Sequence, residues 1–109
     1  MTEHGLSESQ LEIIRSLLAP FAKKIERVGL FGSRANGRYR PNSDIDLVIY
    51  GVLDEKTVDR LFTRLNESNL PMKVDVYARH LIDYPPLCDH IDAVMQPLFE
   101  QEQLGPKVA

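Results

Sequence analysis

The chain has 109 residues, of which 43% are hydrophobic, and a formal charge of −3 at pH 7, so it can build one domain around one core. The acidic balance excludes the strongly basic surface that duplex-binding proteins usually carry, and no apolar stretch approaches the ~18 residues of a membrane helix. A single cysteine, Cys88, excludes an internal disulfide and suits a reducing cytoplasm, while the polar start at residues 1–5 does not read as a signal peptide.

Ser7-Glu8-Ser9-Gln10 has the form of a capping box, with Ser at the N-cap and Gln at N3. Leu11, Ile14, Leu18 and Phe21 follow at helical spacing, which predicts a first helix ending near 21–24. A short strand is expected over 28–31, ended by Gly32. The segment 33–41 begins as a helical turn and continues as a loop, given Asn36-Gly37 and Pro41-Asn42. A second strand covers 44–50. Asp54 caps a second helix whose inner face is Val58, Leu61, Phe62 and Leu65.

A third strand covers 73–78, with Val74 and Val76 on one face and Asp75 on the other. A third helix fits 86–95, with Leu87, Ile91, Val94 and Met95 inward; Pro is tolerated in its first turn. Leu98 and Phe99 suggest an edge strand, because Pro97 is out of place in a central one. Residues 1–100 are therefore read as one domain and 101–109 as a flexible tail. The expected fold class is α/β, of the mixed α+β kind. A small mixed sheet carries helices on one face and leaves an acidic face open.

The chemistry lies in Phe31-Gly32-Ser33, ten intervening residues, then Asp44-Ile45-Asp46. Residues i and i+2 of a strand point the same way, with Cα atoms about 6.6 Å apart. Asp is depleted in strands, so two of them heading the run Leu47-Val48-Ile49-Tyr50 need a reason. Close together they repel, and one of them should take up a proton. Mg²⁺ removes that conflict, since it prefers one or two carboxylates plus the oxygens of a substrate's phosphates. Gly32 lets the backbone approach a ligand, and Ser33 offers a hydroxyl and an N–H to a phosphate. Arg34, Arg38 and Arg40 make the intervening loop locally positive, which suits a small polyanion such as a nucleoside triphosphate.

These residues resemble the nucleotidyltransferase superfamily that includes DNA polymerase beta and kanamycin nucleotidyltransferase. The resemblance rests on Phe31, Gly32-Ser33, Asp44 and Asp46, and Asp75 within Val74-Asp75-Val76, and covers about 28–78. Arg34-Ala35-Asn36-Gly37 also looks like the stand-alone minimal nucleotidyltransferases. The resemblance implies a polymerase-beta-like palm. In it Asp44 and Asp46 hold Mg²⁺ against the triphosphate, and Asp75 binds a second Mg²⁺ and helps deprotonate the acceptor. Gly32 and Ser33, with Arg34, hold the nucleotide. The implied reaction transfers a nucleoside monophosphate, AMP from ATP, to a hydroxyl and releases pyrophosphate. Larger members add a helical domain for the acceptor, and only about thirty residues follow the third strand here. The resemblance therefore implies a separately encoded helical partner, either a HEPN-type toxin that this chain counteracts as antitoxin or a substrate-binding subunit.

Plain alternatives stand beside these readings. The chain could neutralise its partner by occlusion alone, or could modify a small molecule such as an aminoglycoside. Arg34 is either a phosphate contact or a surface pairing residue, and Arg40 and Lys73 are solvated. His4, His80 and His90 lack metal-ligand spacing and read as surface residues. Tyr39, Tyr77 and Tyr84 are packing candidates, and Tyr77, on the face of Asp75, could also stack on a base.

Overall fold

The computed structural model describes residues 4–105. Residues 1–3 and 106–109, which include parts of the expected polar start and tail, lie outside the described residues. In chain order the elements are α1 (Glu8–Leu18), a 3-10 segment (Ala19–Lys24), β1 (Ile25–Phe31), a 3-10 turn (Gly32–Arg34) and β2 (Ile45–Gly51). There follow α2 (Glu55–Asn66), β3 (Val74–Ala78), a 3-10 turn (Arg79–Leu81), α3 (Pro85–Val94), β4 (Gln96–Glu100) and α4 (Gln101–Leu104).

The caps form as their residues dictate. The Ser7 hydroxyl accepts from the Gln10 N–H while the Gln10 side chain accepts from the Ser7 N–H. The Asp54 carboxylate accepts from the Thr57 N–H at the start of α2.

The sheet has the order β3-β2-β1-β4. β1 is antiparallel to both β2 and β4, whereas β2 and β3 run parallel. The parallel pair needs a crossover, and α2 supplies it. Pro97 lies in β4, at one edge of the sheet, the position in which a strand tolerates proline.

The core divides along the two faces of the sheet. Val28 and Leu30 of β1, Ile45, Leu47 and Ile49 of β2 and Val74 of β3 point to the face covered by α1 and α2. Ile14, Leu18, Leu61 and Leu65 from those helices are fully buried there. Phe62 is 39% exposed, so it is not part of the expected inner face of α2; it follows Leu61 directly and so falls outside the buried stripe of Leu61 and Leu65.

Two further expectations are corrected. Helices were expected on one face only, but α3 packs on the other, where Ile91 joins Phe31 and Val48 in a second small core. The acidic face is therefore open only at the Asp46 end of the strands. The reading of 101–109 as a flexible tail fails for its first part. α4 is capped by Glu100 and Gln103, and Leu104 is fully buried in the main core. A lone apolar residue four places into a polar stretch has no period of its own, so only the tertiary fold identifies it as core.

Leu104→Ala should destabilise the protein by ~2–4 kcal/mol. Urea unfolding would show this as a lower midpoint with an unchanged slope, whereas a frayed tail would give no change.

Candidate active site

Strand pairing builds the site. Phe31 is the register partner of Asp46, and Asp46 of Asp75, so one row crosses β1, β2 and β3. Asp46 and Asp75 alternate with the buried Ile45, Leu47 and Val74, which turns both carboxylates to the α3 face. Adjacent strands lie about 4.8 Å apart, so the two carboxylates are neighbours. Asp44 is the exposed residue just ahead of β2, which starts one residue later than the sequence suggests. Tyr77 lies two residues beyond Asp75 on the same face, its ring edge-on to Phe31 at 5.2 Å between centroids.

The electrostatics follow from this crowding. The Asp46 carboxyl is pushed up to about 6 from the ordinary 3.8. Burial is the main cause; the Asp75 and Asp44 charges and a hydrogen bond with Asp75 add to it, and Lys73 opposes it. The Lys73 ammonium stands 3.6 Å from the Asp75 carboxylate, an ion pair exposed enough to be weak.

Gly32, at φ +75°, turns the chain out of β1, and a Cβ on it would run into the Asp46 carboxylate. Glycine is thus needed both for the turn and for room beside the aspartate. Ser33, next in the 3-10 turn, is half-exposed, and its hydroxyl has no hydrogen-bond partner among the described residues.

Arg34 is placed elsewhere. It is 1% exposed, and its guanidinium donates to the carbonyls of His4 (2.9 Å), Pro41 (3.2 Å) and Ser43 (3.1 and 3.2 Å). It also sits 5.2 Å from the centre of the Tyr39 ring. Neither the phosphate contact nor the surface pairing expected for Arg34 is what the structure shows: its donors are committed to backbone carbonyls. It ties the N-terminal segment to the loop that delivers Asp44, one residue past Ser43. His4 is drawn in with it, half-buried rather than a surface residue, its Nδ1 accepting from the Leu6 N–H.

Sequence reasoning missed Asn66. Its side chain accepts from the Val74 N–H and donates to the Val74 carbonyl, each at 2.8–2.9 Å, fixing the start of β3 beside Asp75. An Asn at a helix end reads as an ordinary cap, so nothing local signals this role.

The described residues hold no group of three or more His, Cys, Asp or Glu side chains arranged as a metal cage. Mg²⁺ does not require one, because phosphate oxygens complete its shell. The donor set of Asp46 beside Asp75, with Asp44 at hand, fits such an ion. Oxygen ligands are the right chemistry, and a cation would offset both the burial that lifts Asp46 and the Asp75 and Asp44 charges that add to it.

With this geometry the chain can be compared with known proteins. Residues 12–104 match the family "Polymerase beta, Nucleotidyltransferase", and the chain belongs to that family. A Methanocaldococcus jannaschii protein named as a candidate protein adenylyltransferase, MJ0604, is 39% identical over 54 residues, 50% of this chain and 54% of that one. The chain thus spans about half the length of the curated relative it matches. Two crystal structures share the fold. A toxin-antitoxin with AMP-PNP has TM-score 0.69 and 26% identity over 86% of this chain and 79% of that chain. The toxin-antitoxin MntA-HepT has TM-score 0.66 and 24% identity over 89% of this chain and 75% of that chain.

Two outcomes test this geometry. An acid whose folded value lies above its unfolded one binds protons preferentially in the folded state, so stability falls as pH rises between the two values. Asp46→Asn should therefore stabilise the chain in EDTA at pH 7, by ~1 kcal/mol after allowance for partial exposure. The gain should fade as pH drops from about 6 to the ordinary 3.8 and be absent below it; thermal melts against pH would show it. Arg34→Ala should lower stability by roughly 3 kcal/mol, because it strands three backbone carbonyls. Urea melts measure this, and a direct loss of nucleotide affinity at full stability would contradict the structural role.

Proposed function

We propose that this chain transfers AMP from ATP, with Mg²⁺, to a hydroxyl on a separately encoded helical protein, a HEPN-type toxin that it counteracts as antitoxin. The observation that carries the reading is the in-register Asp46–Asp75 pair beside a glycine turn that makes room for the Asp46 carboxylate. The names of the relatives support it: a candidate protein adenylyltransferase, and toxin-antitoxin structures, one of them with AMP-PNP.

Asp44, Asp46 and Asp75 would hold the Mg²⁺ ions, whose charge offsets that of the triphosphate. Gly32 and Ser33 bring backbone N–H groups and the free Ser33 hydroxyl to the phosphates. The acceptor oxygen bonds to the α-phosphorus as the bond from that phosphorus to the β-bridging oxygen breaks. Pyrophosphate leaves, and the hydroxyl proton passes through Asp75 to solvent. Asp75 suits that role because it is half-exposed at the open end of the row, with an edge strand's access to an incoming group.

The test is label transfer from α-labelled ATP with Mg²⁺ in the presence of the co-purified helical partner. Label is expected on a hydroxyl-bearing side chain of the partner. It should fall by at least ~10²-fold in Asp44→Ala and in Asp75→Ala. Parental labelling in either variant overturns the site assignment. Neutralisation that persists in both variants would establish occlusion instead.

A further inference from the structure

The row Phe31, Asp46, Asp75 stops at β3, because β3 is the edge of the sheet. The Lys73 carbonyl accepts from the Ile45 N–H, so backbone groups of Lys73, Asp75 and Tyr77 face β2. By alternation those of Val74, Val76 and Ala78 face outward. The Asn66 side chain already satisfies both outward groups of Val74. The outward N–H and C=O of Val76 and the outward N–H of Ala78 have no partner among the described residues, whereas the Ala78 carbonyl opens the 3-10 turn that follows. An exposed edge of this kind is a template for another strand.

A groove of about 250 Å³ runs along that free edge, between the first half of α2 and the turn after β3. Val58, Val76, Leu81 and Ile82 form its apolar lining, and Leu81 is 41% exposed. Glu55 and Asp59 stand on its α2 wall, and neither is in an ion pair among the described residues. Apolar floor, acidic wall and unpaired backbone therefore coincide on the strand that carries Asp75.

We infer that the free edge of β3 docks an extended peptide segment of the acceptor protein, with basic residues flanking the acceptor hydroxyl. The inference rests on the protein-acceptor reading above. A strand added here pairs with Val76 and Ala78, and its residue opposite Asp75 points to the same face as Asp75, one strand spacing of about 4.8 Å away. That residue is the last before Asn66 closes the edge. Its neighbours point to the groove instead. A lysine or arginine there lays its aliphatic stem on Val58 and Leu81 and brings its charge to Glu55 and Asp59. Added strands gain affinity from main-chain bonds and specificity from alternate side chains, so the edge itself sets which residue meets Asp75.

The experiment uses the intact, isotope-labelled chain and two tyrosine-centred peptides, one of alternating valine and lysine, the other with glutamate for lysine. The lysine peptide should slow amide hydrogen exchange at Val76 and Ala78 and bind about tenfold tighter than the glutamate peptide. Glu55→Lys with Asp59→Lys should invert that preference, and Leu81→Asp should weaken both peptides. Unchanged exchange at Val76 and Ala78 at millimolar peptide, or a preference untouched by charge reversal, overturns the docking edge. Label from α-labelled ATP on a peptide that gives no protection also overturns it, while leaving transfer to protein intact. Protection without label on any peptide or protein leaves the docking edge standing and removes the transfer reading.

Discussion

The parallel pairing of β2 with β3 is the constraint on which the site depends. It sets Asp46 beside Asp75 and makes two like charges share one half-buried face. Low accessibility raises the cost of both being ionised at once. The packing of α1 and α2 beneath the sheet must outweigh that cost, and it does so through a continuous apolar floor of Val28, Leu30, Ile45, Leu47, Ile49 and Val74. The acidic end is therefore held by the hydrophobic effect acting on the opposite face, with no help from the carboxylates themselves.

Around that pair the fold clears space on three sides. Gly32 withholds a side chain where Asp46 needs room. Arg34 pulls the loop 41–43 inward, through backbone carbonyls, and so fixes the approach to Asp44. Asn66 finishes the edge of β3 just before Asp75. Each of these residues acts on the backbone beside an aspartate and leaves the carboxylates free for a ligand. α3 covers the far half of the same face, through Ile91 against Phe31 and Val48, so the open region is confined to one end of the strands.

Such an arrangement suits a chemistry whose main demand is charge management. Phosphoryl and nucleotidyl transfer require positioning and stabilisation of negative charge. A small domain can meet the second demand with three aspartates and a glycine turn. Orientation of the acceptor needs additional surface, and the edge strand carrying Asp75 is where such surface can be added without disturbing the core.

Much of this was legible in the residues. Ser7 with Gln10 and Asp54 with Thr57 are local caps, decided within one helical turn. The alternation in 45–50 and 74–78 assigned Asp46 and Asp75 to the face opposite the main core, since side-chain direction along a strand follows from period alone. The edge position of β4 followed from Pro97. Arg34, α3 and Leu104 were decided only by the tertiary structure. An arginine in a loop carries no local mark of the carbonyls of His4, Pro41 and Ser43 that will surround it, because those come from segments brought together by folding. The amphipathic stripe of α3 shows that it packs, but which face of the sheet receives it depends on the hand of its connections. Leu104 is one apolar side chain without a period, and its burial exists only because α1, β1 and β4 leave a space that it fills. Local order and side-chain alternation were thus the sequence's to determine, whereas contacts across long separations in the chain belonged to the fold.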